Sequence, residues 1–140
     1  MDINNLLVDL EKSKTQFHAV KNAAEILENS GFARIDESKK WKIERGGRYF
    51  VTRNDSALIA FVVGKRDECN IVAAHTDSPV FKIKANAAMT VAGFCALNVE
   101  SYGGGIYGTW YDRKLGIAGR LLVKDGDGIK QRLVDADITV

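Results

Sequence analysis

The chain has 140 residues, of which 46% are hydrophobic and 27% are charged, and its formal net charge is +2. This length suits one ordinary domain, and this composition is typical of a folded soluble chain rather than a disordered or fibrous one. The basic residues are scattered among apolar ones and form no stripe with base-stacking aromatic residues. We therefore expect no nucleic-acid partner.

The sequence also lacks the marks of a membrane or secreted protein. No apolar segment approaches the roughly 20 residues that span a bilayer. Residues 1–10 carry early acidic residues and no basic region, unlike a signal peptide. Cys69 and Cys95 are too far apart in sequence for a closely spaced metal or redox pair. We expect a cytoplasmic protein with reduced thiols and no membrane partner.

The N-terminal part of the chain is predicted to be helical. Apolar residues recur at three- and four-residue spacings from about residue 4 to residue 29. The polar stretch 11–16 leaves open whether this is one helix or two, and Thr15 is a candidate N-cap for a second helix. Gly31 suits the position just after the helix end.

The remainder of the chain is predicted to be rich in strands. The strand patterns cover residues 48–53, 57–63, 70–74, 81–84, 90–100, 115–124, 129–134 and 134–140. Polar turns at residues 54–56 and 125–128 indicate hairpins. The predicted fold class is therefore α/β, with an N-terminal helix or helices followed by a mixed strand-rich segment. So few helices do not cover the faces of so many strands, which indicates an incomplete architecture.

The motif at residues 75–79 (HTDSP) directly follows the apolar run at residues 71–74 (IVAA). This order predicts a buried strand that ends at an exposed edge, where α/β proteins usually place their chemistry. On extended backbone, His75 and Asp77 lie on the same face. In one interpretation His75 binds a metal ion and Asp77 accepts a hydrogen bond from its other ring nitrogen. In the other, they are an ordinary polar strand end and a turn residue, and the motif alone leaves both open.

Two further features favour structural roles. The glycine turn, Gly103-Gly104-Gly105, indicates a tight turn or a close approach to another surface. A phosphate-binding loop is disfavoured there, because no Lys follows at the required spacing. His18 lies at the start of a predicted helix, where capping or packing is favoured over metal binding.

Several sequence blocks together resemble the M18 family of metallopeptidases, which includes the aspartyl aminopeptidases. These blocks are residues 17–20 (FHAV), 49–54 (YFVTRN), 74–79 (AHTDSP), 100–107 (ESYGGGIY), 109–113 (TWYDR) and 119–120 (GR). Their order and spacing run along the whole chain, which makes the resemblance specific. Lys114 departs from the pattern, because relatives often carry an acidic residue there.

The resemblance implies a cytosolic aminopeptidase that uses two zinc ions and an activated water to release N-terminal amino acids from peptides. It implies that His75 is a ligand to one zinc and that Asp77 is the catalytic-site carboxylate that orients this ligand. It also implies a zinc-peptidase (phosphorylase/hydrolase-like) α/β catalytic domain interrupted by a dimerisation insert. The implied assembly is a homo-oligomer, a dodecamer in the full-length family, and the preferred N-terminal residue of the substrate stays open.

Family members are several hundred residues long, so the resemblance implies that residues 1–140 are the N-terminal part of the catalytic domain. The dimerisation insert, the C-terminal half, the general base and the other zinc ligands are then absent. Because a catalytic zinc needs about three protein ligands, we expect this chain to be inactive alone, as a fragment or a stand-alone remnant. The alternatives are a non-catalytic interaction or assembly module, whose uncovered sheet edges need a partner, and a small protein that binds metal between several chains.

Overall fold

The computed structural model describes residues 2–65 and 68–139, and the chain divides into two units. The first unit comprises Met1–Asp77 and Gly116–Val140, and the second comprises Ser78–Leu115. The described residues contain helices α1 (Ile3–Lys12) and α2 (Gln16–Asn29), a short 3-10 turn (Tyr107–Thr109), and strands β1 (Ala33–Arg34), β2 (Arg48–Arg53), β3 (Ala57–Val62), β4 (Val80–Val91), β5 (Phe94–Tyr102), β6 (Gly116–Asp125) and β7 (Gly128–Thr139). Helices followed by a strand-rich segment confirm the predicted α/β class.

The N-terminal segment forms two helices rather than one, and the sequence had left both arrangements open. The Thr15 side chain caps α2 by accepting a hydrogen bond from the backbone N–H of His18. At the other end, Gly31 has a φ of +80°, and its N–H donates to the Glu28 carbonyl. This left-handed glycine ends the helix as predicted. Neither helix in the described part of the chain is long and apolar enough to cross a membrane.

The first unit places α2 against a three-stranded sheet with the order β1-β2-β3. Strand β1 is parallel to β2, and β2 pairs with β3 in an antiparallel hairpin. Val20 and Ala24 on α2 and Phe50 on β2 are the buried apolar side chains of the described residues. The core therefore lies between α2 and this sheet, because the apolar face of an amphipathic helix must be buried against another element.

The remaining four strands form two antiparallel hairpins, β4 with β5 and β6 with β7. The predicted strand over residues 90–100 is wrong, since the chain reverses at Ala92 and Gly93, which have positive φ values of 49° and 83°. Apolar and polar residues alternate on both sides of this two-residue turn, so the sequence pattern does not reveal the turn. Residues 134–139 continue β7 rather than forming a strand of their own.

The predicted buried strand at residues 70–74 is also absent, because these residues have no regular secondary structure. Ile71 is 83% exposed and Val72 is 97% exposed. A strand needs a neighbouring strand to accept its backbone hydrogen bonds and cover its side chains. No described strand pairs with this segment. Its apolar pattern predicts a strand, but the described residues provide no sheet for it to join.

Candidate metal site

The structure brings together the two predicted site residues, His75 and Asp77, which we call the metal-site pair. Nδ1 of His75 lies 2.6 Å from Oδ1 of Asp77 and 2.9 Å from the Asp77 backbone carbonyl oxygen. Both contacts are with acceptors, so they favour the tautomer in which Nδ1 carries the proton and donates it. Nε2 then keeps its lone pair, as a metal ligand requires.

The two side chains of the pair differ in exposure. The His75 side chain is 82% exposed, whereas that of Asp77 is 21% exposed. The carboxylate is thus the more fixed member, and it orients a ring whose remaining nitrogen is accessible. This arrangement fits a metal ligand and its orienting carboxylate, although the backbone is irregular rather than a strand.

The donor set of the described residues is too small for a complete metal centre. Among residues 2–65 and 68–139, no group of three or more His, Cys, Asp or Glu side chains is placed to hold a metal ion. Zinc in a catalytic site takes about three protein ligands. The metal-site pair therefore fits one ligand position of such a site and leaves the others to be supplied from elsewhere.

His18 has the structural role that the sequence favours. Its Nδ1 lies 2.8 Å from Oγ1 of Thr15, and the ring is half-buried. Burial lowers the pKa of His18 below its ordinary value, and the nearby charges of Lys21 and Lys14 lower it further, while Asp135 raises it. Because Nδ1 of His18 is engaged by Thr15 and the ring is half-buried at the start of α2, capping and packing account for this residue.

The glycine turn approaches another part of its own unit closely, as predicted. Gly103 has a φ of +80°, and a Cβ added there would lie 3.3 Å from Cα of Pro79. A Cβ on Gly105 would lie 3.2 Å from Cβ of Pro79, whereas one on Gly104 would meet nothing within 4 Å. The last residue of the HTDSP motif therefore packs against bare glycine backbone.

Sequence patterns missed two clusters that connect distant positions. In the second unit, the Phe81 ring lies 5.3 Å from the Tyr107 ring and 5.4 Å from the Trp110 ring, between centroids. In the first unit, the guanidinium of Arg120 lies 3.9 Å from the centre of the Phe17 ring. Phe17 and Trp110 lie in the blocks that carry the family resemblance, but the sequence did not indicate the contacts that they make.

One family profile matches nearly the whole chain. The family described as aminopeptidase I zinc metalloprotease (M18) matches residues 10–140. The aspartyl aminopeptidase of Aspergillus oryzae is 46% identical to the chain over 132 residues, which are 89% of this chain and 26% of that protein. The family match over residues 10–140 includes all the sequence blocks described above.

Solved structures agree with the sequence matches. A chain in the cryo-EM structure of the Ape4 and Nbr1 complex has a TM-score of 0.89 and 42% identity, over 96% of this chain and 27% of that one. A chain of the S. cerevisiae mApe1 dodecamer has a TM-score of 0.81 and 32% identity, over 96% of this chain and 33% of that one. The chain spans about a quarter to a third of the length of these relatives. By sequence and by fold, the chain belongs to the M18 family of metallopeptidases.

Proposed function

We propose that residues 1–140 are the N-terminal part of the catalytic domain of a zinc-dependent aminopeptidase. The reaction is hydrolysis of the first peptide bond of a peptide, with release of the N-terminal amino acid. The proposed setting is the cytoplasm, and the proposed assembly is a homo-oligomer, in line with the dodecamer of the S. cerevisiae relative. The observation that carries the proposal is the 2.6 Å contact within the metal-site pair, found in a chain of this family.

Each member of the pair has a distinct role in this proposal. His75 binds one zinc ion through Nε2, and Asp77 holds the proton on Nδ1 and so keeps the ring in the metal-binding tautomer. When bound, zinc supplies Lewis-acid activation of the scissile carbonyl and of the attacking water. Asp77 is thus a site carboxylate that acts through His75.

The exposed surface supports the proposal that the catalytic domain is larger than this chain. Ile71 is 83% exposed and Val72 is 97% exposed, although both belong to an apolar run whose pattern is that of a buried strand. Burial of such residues is the main favourable term in folding. We therefore propose that a further part of the catalytic domain packs against these apolar residues. The dimerisation insert and the C-terminal half would follow this part of the chain.

Metal binding and turnover, measured separately, test this proposal. The purified 140-residue chain is incubated with zinc and with substrates that carry an N-terminal amino acid, beside the His75→Ala variant and a His18→Ala control. We expect no turnover by the 140-residue chain. In the native full-length chain that contains these residues, we expect His75→Ala to abolish turnover and weaken zinc binding, while His18→Ala leaves zinc binding unchanged. Robust turnover by residues 1–140 that depends on His75 would contradict the proposed incompleteness.

A second candidate function is a non-catalytic assembly module. The β6–β7 hairpin favours it, because Leu121, Leu122 and Ile129 on this hairpin are more than half exposed and exposed apolar patches mark interaction sites. The proposed partner is a second M18 chain. Light scattering of the 140-residue chain, alone and mixed with a full-length relative, tests it. Stable association supports the module, and a well-behaved monomer under both conditions contradicts it.

A further inference from the structure

One segment of the first unit, residues 39–45 (KKWKIER), concentrates positive charge on an exposed surface. We call it the basic segment. It lies between β1 and β2, has no helix or strand, and is exposed at every residue. Its cations outnumber its acidic residue by four to one, and these charged residues are Lys39, Lys40, Lys42, Arg45 and Glu44. The net charge of the whole chain is only +2, so this short segment is a local excess of positive charge.

Most cations of the basic segment have no acidic partner in the described part of the chain. Nζ of Lys39 lies 3.5 Å from Oδ2 of Asp36. No ion pair within residues 2–65 and 68–139 includes Lys40, Lys42 or Arg45. Unpaired surface cations create a positive potential that attracts acidic groups, so three side chains of the segment are available to an acidic partner.

Contacts that do not involve these cations anchor the basic segment. Nε1 of Trp41 donates a hydrogen bond of 2.7 Å to the Asp36 carbonyl, and the Trp41 ring stacks on Phe61 of β3 with 6.3 Å between ring centroids. The backbone N–H of Glu44 donates to the Tyr49 hydroxyl at 3.1 Å. The segment is therefore ordered before any partner binds, and an ordered surface loses less conformational entropy on binding.

The position of Trp41 favours one class of anionic partner over two others. A tryptophan that attaches a protein to a membrane inserts into the lipid interface, and single-stranded nucleic acid binds by stacking on several aromatic rings. Trp41 is the single aromatic residue of the basic segment, and its ring is held on the sheet by Phe61. Trp41 and Ile43 are still 41% and 40% exposed. Cations beside moderately exposed apolar side chains match an acidic peptide with interspersed apolar residues.

We propose that the basic segment is a docking site for an acidic peptide segment of a partner protein. Acidic side chains of the partner lie beside Lys40, Lys42 and Arg45, and an apolar side chain of the partner packs beside Ile43. Docking of this kind needs neither zinc nor the metal-site pair, so it does not depend on the proposed aminopeptidase activity. Because salt screens charges on exposed surfaces, binding weakens as the ionic strength rises.

The experiment measures binding of a fluorescent glutamate-rich peptide with interspersed leucines, by fluorescence anisotropy. The peptide is N-acetylated, so that it has no free N-terminal residue for an aminopeptidase to release. The double variant Lys40→Glu/Lys42→Glu is compared with Lys124→Glu/Arg132→Glu, which reverses two exposed charges on β6 and β7 and has the same net charge. We expect the first variant to weaken binding about 10-fold and the second to leave it nearly unchanged. Equal losses in the two variants, or no binding by the unaltered chain, overturn the proposal.

Two competing probes and a longer chain complete the test. Vesicles of phosphatidylserine and phosphatidylcholine represent a lipid surface, and a single-stranded oligonucleotide represents nucleic acid. At an equal concentration of negative charge, we expect neither to displace the labelled peptide, and displacement by either overturns the assignment to a peptide. In the native full-length chain, the peptide should bind with the same sensitivity to Lys40→Glu/Lys42→Glu. A full-length chain that does not bind it overturns the proposal, because the segment is then covered.

Discussion

The two histidines of the chain have different surroundings, and these surroundings are the basis for proposing His75 rather than His18 as a metal ligand. His75 is exposed and faces a carboxylate, which attracts cations and keeps Nε2 ready to bind. His18 is half-buried, its Nδ1 contacts Oγ1 of Thr15, and Asp135, Lys21 and Lys14 are the charges near it. The residue type is the same, so the difference comes from neighbours alone.

The lowered pKa of His18 predicts a stability that falls in mild acid. The unfolded chain binds a proton near the ordinary pKa of 6.5, whereas the folded chain binds it at lower pH because burial disfavours the charged ring. Between these two pKa values the unfolded state carries more protons, so the free energy of unfolding rises with pH. The contribution of His18 is complete above about pH 6.5 and is lost as the pH falls through the folded pKa. Urea unfolding at a series of pH values between 5 and 8 measures it.

Two variants give this pH prediction its controls. His18→Gln removes the titrating group, so its unfolding free energy should vary less over the same pH range. Asp135→Asn removes the charge that raises the pKa of His18 and leaves Lys14 and Lys21, which lower it. We therefore expect the pH dependence of Asp135→Asn to be steeper than that of the unaltered chain. A His18→Gln profile identical to the unaltered one would contradict the prediction.

At the scale of elements, Arg120 connects the β6–β7 hairpin to the rest of the first unit. Its guanidinium stacks on Phe17 of α2 and donates to the Asn54 carbonyl in the β2–β3 turn at 2.9 Å. It also donates to Oε1 of Gln131 on β7. The Arg120 side chain thus contacts a helix, a turn and the paired strand.

Removal of the Arg120 side chain should loosen the hairpin. We expect Arg120→Ala to lower the free energy of unfolding by about 1–2 kcal/mol, from the lost stacking and hydrogen bonds together. Arg132→Ala on β7 is the matched control, because Arg132 is exposed and surface substitutions usually change stability by less than about 0.5 kcal/mol. Urea unfolding measures both, and equal losses would contradict the assigned role.

At the scale of the whole molecule, few apolar side chains of the described residues are buried. They are Phe50, Val20 and Ala24. The apolar run at residues 71–74 lies outside regular structure, although its pattern is that of a buried strand. If a further part of the protein paired with residues 71–74 in a sheet, this run would be buried, as its apolar pattern predicts.

If a further part of the protein covers residues 71–74, one substitution in this run should have different effects in the 140-residue chain and in the full-length chain. In the 140-residue chain, Val72→Asp should change the free energy of unfolding by less than about 0.5 kcal/mol, because Val72 is 97% exposed. In the native full-length chain, it should cost about 3 kcal/mol or more, since it places an unpaired charge in a covered strand. Phe50→Ala is the control, and it should destabilise both chains. The same small effect of Val72→Asp in both would show that the run stays uncovered.

Local sequence patterns predicted the elements whose partners are close in sequence. The cap at Thr15 and the glycine at Gly31 bound α2, and the turns at residues 54–56 and 125–128 form hairpins because each strand pairs with the next. The errors lie where the pattern is ambiguous or the partner is missing. Alternation runs through the turn at Ala92 and Gly93, and the run at residues 71–74 has no neighbouring strand.

The helices, two of the three hairpins and the family were predictable from the sequence, and His75 and Asp77 were proposed from it as site residues, because each of these predictions depends on local spacing or on blocks of matching residues. Only the tertiary structure decided that Nδ1 of His75 meets the Asp77 carboxylate, that Pro79 packs on Gly103 and Gly105, and that Arg120 stacks on Phe17. Contact distances depend on how the backbone is folded, and sequence spacing does not specify them. The exposure of residues 71–74 was not predictable for the same reason. An apolar pattern favours burial, but burial also requires other residues to pack against the segment.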